Sequence, residues 1–392
     1  MSELRALMAA ARALRRTNAP FVTATLVSVK GSSYRRPGAR LLIADDRWIC
    51  GSVSGGCLER DLVRRAWWRT ADGQPALVSY DSTNDGDDDL GWGIGLGCNG
   101  VVELLLERAG VGAAAVDALD FIDGCLADEQ PGALVTLFRS PRGDGAAAEI
   151  ALGACLAVRA DRPLLSRLGS LVPAVHESLA CEARAVLATP GARPSTVALA
   201  GGAEALVERV EPPPHLFVMG ARPDAVPVVR AARAVGWRVT VWAGPSSAEA
   251  RRQLASASRI VAGPARDLAA DVAAAHRPVA VVMTHDVDRD REALAMLLAS
   301  RCPYVGVLGP RARTDRLLAA LGAPSRPGTP LAQRLHAPIG LALGAETPDE
   351  VALAIVAEIQ AVVAGEVVGH LRDRPGRIHA APAVEQHREA AE

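Results

Sequence analysis

Residues 215–244 read HLFVMGARPDAVPVVRAARAVGWRVTVWAG. An apolar run over 215–219 meets a glycine turn, then a stretch with apolar residues at helical spacing to Val235, then Gly236 and a second apolar run over 237–242. That succession predicts a βαβ unit. Strands buried on both faces read as unbroken hydrophobic runs, whereas the crossover helix reads with a period near 3.6. Further apolar runs at 260–262, 279–284 and 304–308, with helical patterns between them, extend the unit into a doubly wound parallel sheet. A last helix is predicted over 348–363, and the Arg- and Ala-rich residues 371–392 are predicted to be a frayed tail.

Upstream, Glu211-Pro212-Pro213-Pro214 has linker composition and divides the chain. The expected fold class is α/β: an N-terminal mixed α/β domain over 1–211, then a Rossmann-like doubly wound parallel-sheet domain over 215–370. In the first part the pattern predicts a helix over 3–16, a strand over 21–29, a hairpin (40–44 and 48–51) around Asp45-Asp46, a helix over 57–69 and a strand over 76–80. Residues 81–100 read as a long Asp- and Gly-rich loop. The middle alternates predicted strands at 101–106, 133–139 and 196–200 with predicted helices at 113–127 and 204–209.

Composition removes several function classes. The 392 residues are 49% apolar, enough for two cores. A formal net charge of −1 and an aromatic content of 3% argue against nucleic-acid binding. Of 43 basic residues Lys30 alone is lysine, so the arginine excess is compositional and one arginine carries little functional weight by itself. No apolar stretch has the length of a membrane span, and the N-terminus lacks a signal-peptide pattern. Seven scattered cysteines (Cys50, Cys57, Cys98, Cys125, Cys155, Cys181, Cys302), an odd number with no Cys-x-x-Cys pair, predict free thiols in a cytoplasmic protein.

The motif after the first parallel strand is Gly220-Ala221-Arg222-Pro223-Asp224-Ala225, which keeps only the first glycine of a dinucleotide fingerprint. At the end of the second strand Trp242-Ala243-Gly244 stands where a ribose-binding acid is expected, so the pattern argues against ordinary NAD binding. The literal Gly-x-Gly-x-x-Gly at 95–100 follows an acidic loop and not a strand, and has the wrong context. Residues 81–92 fit the early positions of a calcium loop but put Trp92 where its bidentate Glu must stand; a solvated acidic loop is the better reading. Gly51-Ser52-Val53-Ser54-Gly55-Gly56-Cys57-Leu58-Glu59 is more informative. Gly55 and Gly56 open a predicted helix and set Cys57 at its N-terminus, where the dipole favours a thiolate and adjacent N–H groups suit an anion. Cys98 lies in a second glycine-rich turn beside Gly97. Against this stands the ordinary role of free cysteine as a small buried apolar residue. Thr284-His285-Asp286-Val287-Asp288 ends a predicted parallel strand, the edge at which open α/β sheets bind ligands, so His285, Asp286 and Asp288 form a candidate polar site; Asp286 or Asp288 could equally cap the following helix. The loop 306–311 ends the next predicted strand and could share that crevice; residues 336–341 are apolar apart from His336, which reads equally as a packing residue or a site group.

Together these segments resemble the XdhC/CoxI family, accessory proteins of molybdenum hydroxylases. The resemblance rests on Gly31-Ser32-Ser33-Tyr34-Arg35-Arg36-Pro37-Gly38-Ala39-Arg40, Gly51–Glu59 and Gly97-Cys98-Asn99-Gly100 in the first part. In the second it rests on Thr284-His285-Asp286, residues 304–311, residues 336–341 and Gly344-Ala345-Glu346-Thr347-Pro348-Asp349-Glu350. It implies a non-catalytic maturation chaperone that transiently binds the molybdenum cofactor (molybdopterin, a pterin dithiolene carrying a phosphate), assists its sulfuration and inserts it into an apo-hydroxylase. The implied partners are that molybdenum hydroxylase, a cysteine desulfurase and a second copy of the chain in a dimer. Cys57 and Cys98 are then the expected metal contacts, with Gly55, Gly56, Glu59, Gly97, Arg35, Arg36, His285 and Asp286 around the cofactor; Arg40 is a third candidate for the phosphate. Two other readings stay open: an NAD(P)-dependent oxidoreductase using the C-terminal domain and His285, and a sulfur-transfer enzyme with a Cys57 persulfide.

Overall fold

The structure, a computed structural model, describes residues 3–81, 100–109, 117–139, 152–166, 173–199, 202–244, 252–323 and 328–373. The described chain forms two compact units, Glu3–Glu211 with His370–Asp373, and Pro212–Gly369.

The N-terminal unit holds two five-stranded antiparallel sheets. The first has the order β3-β2-β1-β5-β4, from β1 (Phe21–Gly31), β2 (Arg40–Ala44), β3 (Arg47–Gly51), β4 (Ala76–Asp81) and β5 (Gly100–Ala109). Asp45 and Asp46 both take positive φ between β2 and β3, the geometry of the tight hairpin turn that matches strand twist. Helix α1 (Glu3–Arg16) and α2 (Glu59–Arg69) flank this sheet; α2 packs Leu62 and Ala66 onto Val22, Ile43 and Leu104. The second sheet has the order β8-β7-β6-β10-β9, from β6 (Gly132–Arg139), β7 (Cys155–Arg159), β8 (Arg162–Ser166), β9 (Ser195–Ala198) and β10 (Glu204–Val210). Helix α3 (Asp117–Asp128) packs with α1, and α4 (Pro173–Ala188) covers the second sheet. The two sheets meet through Val27, Leu105, Phe138 and Leu206.

One predicted helix is corrected here. Residues 204–210 form a central strand of the second sheet. Ala205 and Val207 enter the core under α4 while Leu206 enters the core between the sheets, so the segment is buried on both faces. A short apolar run of that kind has no periodicity to separate strand from helix.

The C-terminal unit is the doubly wound sheet. Its strands are β11 (His215–Met219), β12 (Arg238–Gly244), β13 (Arg259–Ala262), β14 (Pro278–Val282), β15 (Tyr304–Val307) and the two-residue β16 (Leu335–His336), in the order β13-β12-β11-β14-β15-β16. All neighbours run parallel. This is the Rossmann order, and it reverses between β11 and β14. Helices α5 (Ala225–Ala234), α6 (Ala269–Ala274), α7 (Val287–Ala299), α8 (Arg311–Ala320), α9 (Pro330–Arg334) and α10 (Pro348–Ala364) connect and follow the strands. Leu216, Val218, Val239 and Val281 bury one face under α5 and α10; Phe217, Met219, Val282 and Val305 bury the other under α7 and α8. The strands are apolar on both faces for that reason.

Candidate functional site

The loop between β3 and α2 is organised by a carboxylate. Glu59, the first residue of α2, is 1% exposed and turns back into the loop that precedes it. Its Oε1 accepts from the N–H groups of Val53 and Ser54, each at 2.9 Å, and from the Ser52 hydroxyl at 2.8 Å. Its Oε2 accepts from Gly56 N–H at 2.8 Å and from the Ser54 hydroxyl. Burial raises the Glu59 carboxyl, but the bonds from Ser54, Ser52 and Val53 outweigh it and hold the group down to about 2. The amides expected to cradle an external anion are therefore already committed to an internal one. Helix α2 starts at Glu59 with Leu58 as its cap, two residues later than predicted, so Cys57 lies directly before the helix N-terminus. Cys57 is exposed in the loop, following Gly55 and Gly56.

Exposure separates this thiol from most of the others. Burial pushes Cys125 and Cys302 up to about 11 and raises Cys50 as well, and Cys155 is buried. Among the described cysteines Cys57 and Cys181 are the exposed ones. Gly97 and Cys98 lie outside the described residues. The chain re-enters at Gly100, where a Cβ would come within 2.4 Å of the Ser32 carbonyl oxygen.

A cavity of about 830 Å³ opens beside the Tyr34–Pro37 turn. Arg35 and Arg36 line it together with Arg40 and Arg209. Arg40 is buried and paired with Glu208, through Nη1 to Oε2 at 3.0 Å and Nη2 to Oε1; Arg209 is paired with Glu211 at 2.5 Å and donates to the Leu187 carbonyl. Arg35 sits nearer solvent and meets the partly exposed Glu3 at 2.6 Å. Tyr34 connects this cavity to the cysteine loop: it lines the wall, is 62% exposed, and its ring lies where a Cβ on Gly55 would be only 3.1 Å away. Gly55 also takes φ +86°, the left-handed region that favours glycine. Tyr34 thus links the turn that carries Arg35 and Arg36 to the loop that carries Gly55, Gly56, Cys57 and Glu59.

His285 and Asp286 belong to the other unit, at the point where the strand order of the parallel sheet reverses. Gly220 ends β11 at φ +142°, and a Cβ there would lie 2.4 Å from the Met283 carbonyl oxygen, so glycine lets the ends of β11 and β14 meet. Across that junction His285 Nε2 lies 2.5 Å from Asp224 Oδ2, with His285 held at φ +61°. Asp224 is at the N-cap position of α5 but makes no cap bond; its carboxylate serves His285 instead. Asp286 is the helix cap: it accepts from the N–H groups of Arg289 and Asp288, which lower its carboxyl. Arg289 leans over Gly244, where the ribose-binding acid of a dinucleotide fold would stand. His336 stacks on Tyr304, and both meet Glu358 of α10, which the sequence reading did not pick out. Asp224, Glu358 and the internal role of Glu59 were missed because each depends on a partner distant in sequence or on a side chain that folds back. Among the described residues no three His, Cys, Asp or Glu side chains cluster as a metal site.

Fold and site define a two-unit α/β protein with an exposed cysteine loop on one unit and, on the other, a Rossmann sheet without a dinucleotide fingerprint. The profile of the XdhC and CoxI family matches residues 14–81, and that of the XdhC Rossmann domain matches residues 216–359. The chain belongs to the XdhC and CoxI family. It is 28% identical over 348 residues to a probable xanthine dehydrogenase subunit of Bacillus subtilis (strain 168), covering 86% of this chain and 92% of that protein. The molybdenum cofactor insertion chaperone PaoD of Escherichia coli (strain K12) is 31% identical over 87 residues, covering 22% of this chain and 26% of PaoD. A crystal structure of a xanthine dehydrogenase from Bacillus halodurans superposes with a TM-score of 0.71 at 27% identity, covering 96% of this chain and 98% of that one.

Proposed function

We propose that this chain is an accessory protein that takes up the molybdenum cofactor on its N-terminal unit, supports its sulfuration and passes it to a molybdenum hydroxylase. The observation that carries the reading is the exposed Cys57 in a loop whose Gly55 packs against Tyr34, a residue that lines the arginine-bearing cavity. Family membership and the likeness to a cofactor insertion chaperone support the accessory role. The chemistry of the donors fits the cargo. Thiolate is a soft ligand suited to molybdenum and to sulfur handling. The phosphate of a pterin dithiolene suits the guanidinium groups of Arg35 and Arg36, which replace the loop amides that Glu59 already occupies. Glu59 is then a positioning residue: it fixes the loop that presents Cys57. Cys98 is proposed as a second contact, a cysteine desulfurase as the sulfur donor, and a dimer as the working form.

Purified protein is expected to carry releasable pterin, measured by fluorescence after oxidation. Cys57→Ala should lower the amount several-fold, and Arg35→Glu/Arg36→Glu should lower it further with the thiol intact. Stoichiometric pterin in a Cys57→Ala/Cys98→Ala variant would remove the cysteines from the reading; stoichiometric pterin in the arginine variant would remove the cavity.

A further inference from the structure

The C-terminal unit has a cavity of about 960 Å³ at the N-terminal ends of β14 and β15, the opposite end of the sheet from Gly220 and His285. Open α/β sheets bind their small ligands at the carboxyl ends of the strands, so this hollow stands outside that edge. Its walls come from α6, the last turns of α7 and the end of α10, and are apolar: Val272, Val279, Met296, Pro303 and Val362. Val362 is left 39% exposed.

Arginines dominate the charged groups of the lining: Arg266, Arg277 and Arg301. Arg277 is fixed there by a 3.1 Å bond to the Val363 carbonyl, while Arg266 and Arg301 are exposed and have no ion-pair partner among the described residues. The lining includes a single carboxylate, Glu292, and it is engaged by the Ala265 N–H at 2.6 Å. An occupant must therefore bring apolar surface and its own negative charge.

We infer that this cavity is a docking groove for an acidic amphipathic segment of a partner protein. A helix presents three or four apolar side chains in about two turns, with carboxylates along its flanks, and that face matches an apolar hollow with arginines in its lining. The exposed guanidinium groups of Arg266 and Arg301 would supply orientation and a fast, salt-sensitive association. The inference rests on the accessory role proposed above, which requires a protein partner, and supplies the chemistry by which one is held.

The test uses the full chain and a fluorescein-labelled helical peptide with Leu on one face and Glu on its flanks, read by anisotropy, with a Lys-flanked counterpart as control. Saturable binding of the Glu peptide is expected. Arg266→Glu/Arg301→Glu should weaken it about tenfold or more and gain affinity for the Lys peptide. Ala295→Trp, which fills the cavity from the exposed side of α7, should abolish it without changing the melting curve. No saturable binding of the Glu peptide, or binding indifferent to both variants, overturns the inference. So does self-association of the chain that Ala295→Trp removes, which would make the occupant a second copy. Pterin content measured on the same preparations keeps the two readings apart: retained pterin without peptide binding defeats the groove and leaves the cofactor role standing.

Discussion

Glu59 is the residue on which the cysteine loop depends. Its carboxylate gathers donors from Ser52, Val53, Ser54 and Gly56, so four loop positions are tied to the first turn of α2 through one side chain. The direction of the pH effect follows from its depressed pKa. The carboxyl drops from 4.5 to about 2 on folding, so its stabilisation is fully present above pH 4.5 and is lost as pH falls through that window towards 2. A shift of that size corresponds to roughly 3 kcal/mol. Glu59→Gln should therefore lower stability by about that amount at neutral pH and flatten the acid limb of the stability curve between pH 4.5 and 2. The measurement is a urea midpoint series against pH. A variant with an unchanged acid limb would mean that the loop does not rely on this charge. The same geometry explains why the residue type was legible but its role was not. A glutamate opening a helix reads as a favourable partner of the helix dipole, and nothing in local spacing says that it folds backwards into its own loop.

At the scale of elements, the parallel strands were readable because each is buried on both faces. Apart from His215, the strands His215–Met219 and Pro278–Val282 are apolar throughout, and the turn at Gly220 ends the first. The second antiparallel sheet was largely hidden. Strands β7 and β8 and helix α4 follow 140–151, a stretch without apolar pattern, and β10 imitates a helix in a short window. What joins the two antiparallel sheets was also invisible, since Arg40 on β2 and Glu208 on β10 are far apart in the chain. Both side chains are about nineteen-twentieths buried, and they form a two-pronged ion pair that also reaches the Gly38 carbonyl. Arg40 was singled out in sequence as a candidate phosphate contact; the structure gives it to Glu208 instead. A buried pair of this kind is costly to break from one side, because the remaining charge is left in a low-dielectric core. Arg40→Met is expected to cost the N-terminal unit about 3–5 kcal/mol, and Arg40→Met/Glu208→Leu to recover most of that loss. Calorimetric transitions of the two variants decide it. Equal destabilisation by the single and double changes would show that the pair contributes through shape and not through charge.

For the whole molecule, the division at the prolines has an energetic consequence that can be tested directly. The six-stranded sheet of the C-terminal unit has a core on each face, one closed by α5 and α10 and the other by α7 and α8, built from residues of Pro212–Gly369. A domain of that size buries on the order of two-thirds of the surface its unfolded chain exposes, enough to offset the entropy of ordering it. The fragment 212–369 should therefore fold without the rest of the chain. Trp237 and Trp242 report on it from inside: each is 2% exposed, and the Trp242 indole donates to the Gly263 carbonyl at 2.8 Å. Folded fragment should show blue-shifted tryptophan emission and a single sigmoidal urea transition, with a slope of about 1–3 kcal/mol per molar. Because Cys57, Arg35 and Arg36 are all in the other unit, the fragment should also carry no pterin. Red-shifted emission without a cooperative transition would mean that the Rossmann sheet needs the N-terminal unit to hold its core. Pterin on a folded fragment would move the cofactor to the crevice of Asp224 and His285, and the sequence would then have been right about His285 for a reason the N-terminal loop does not supply.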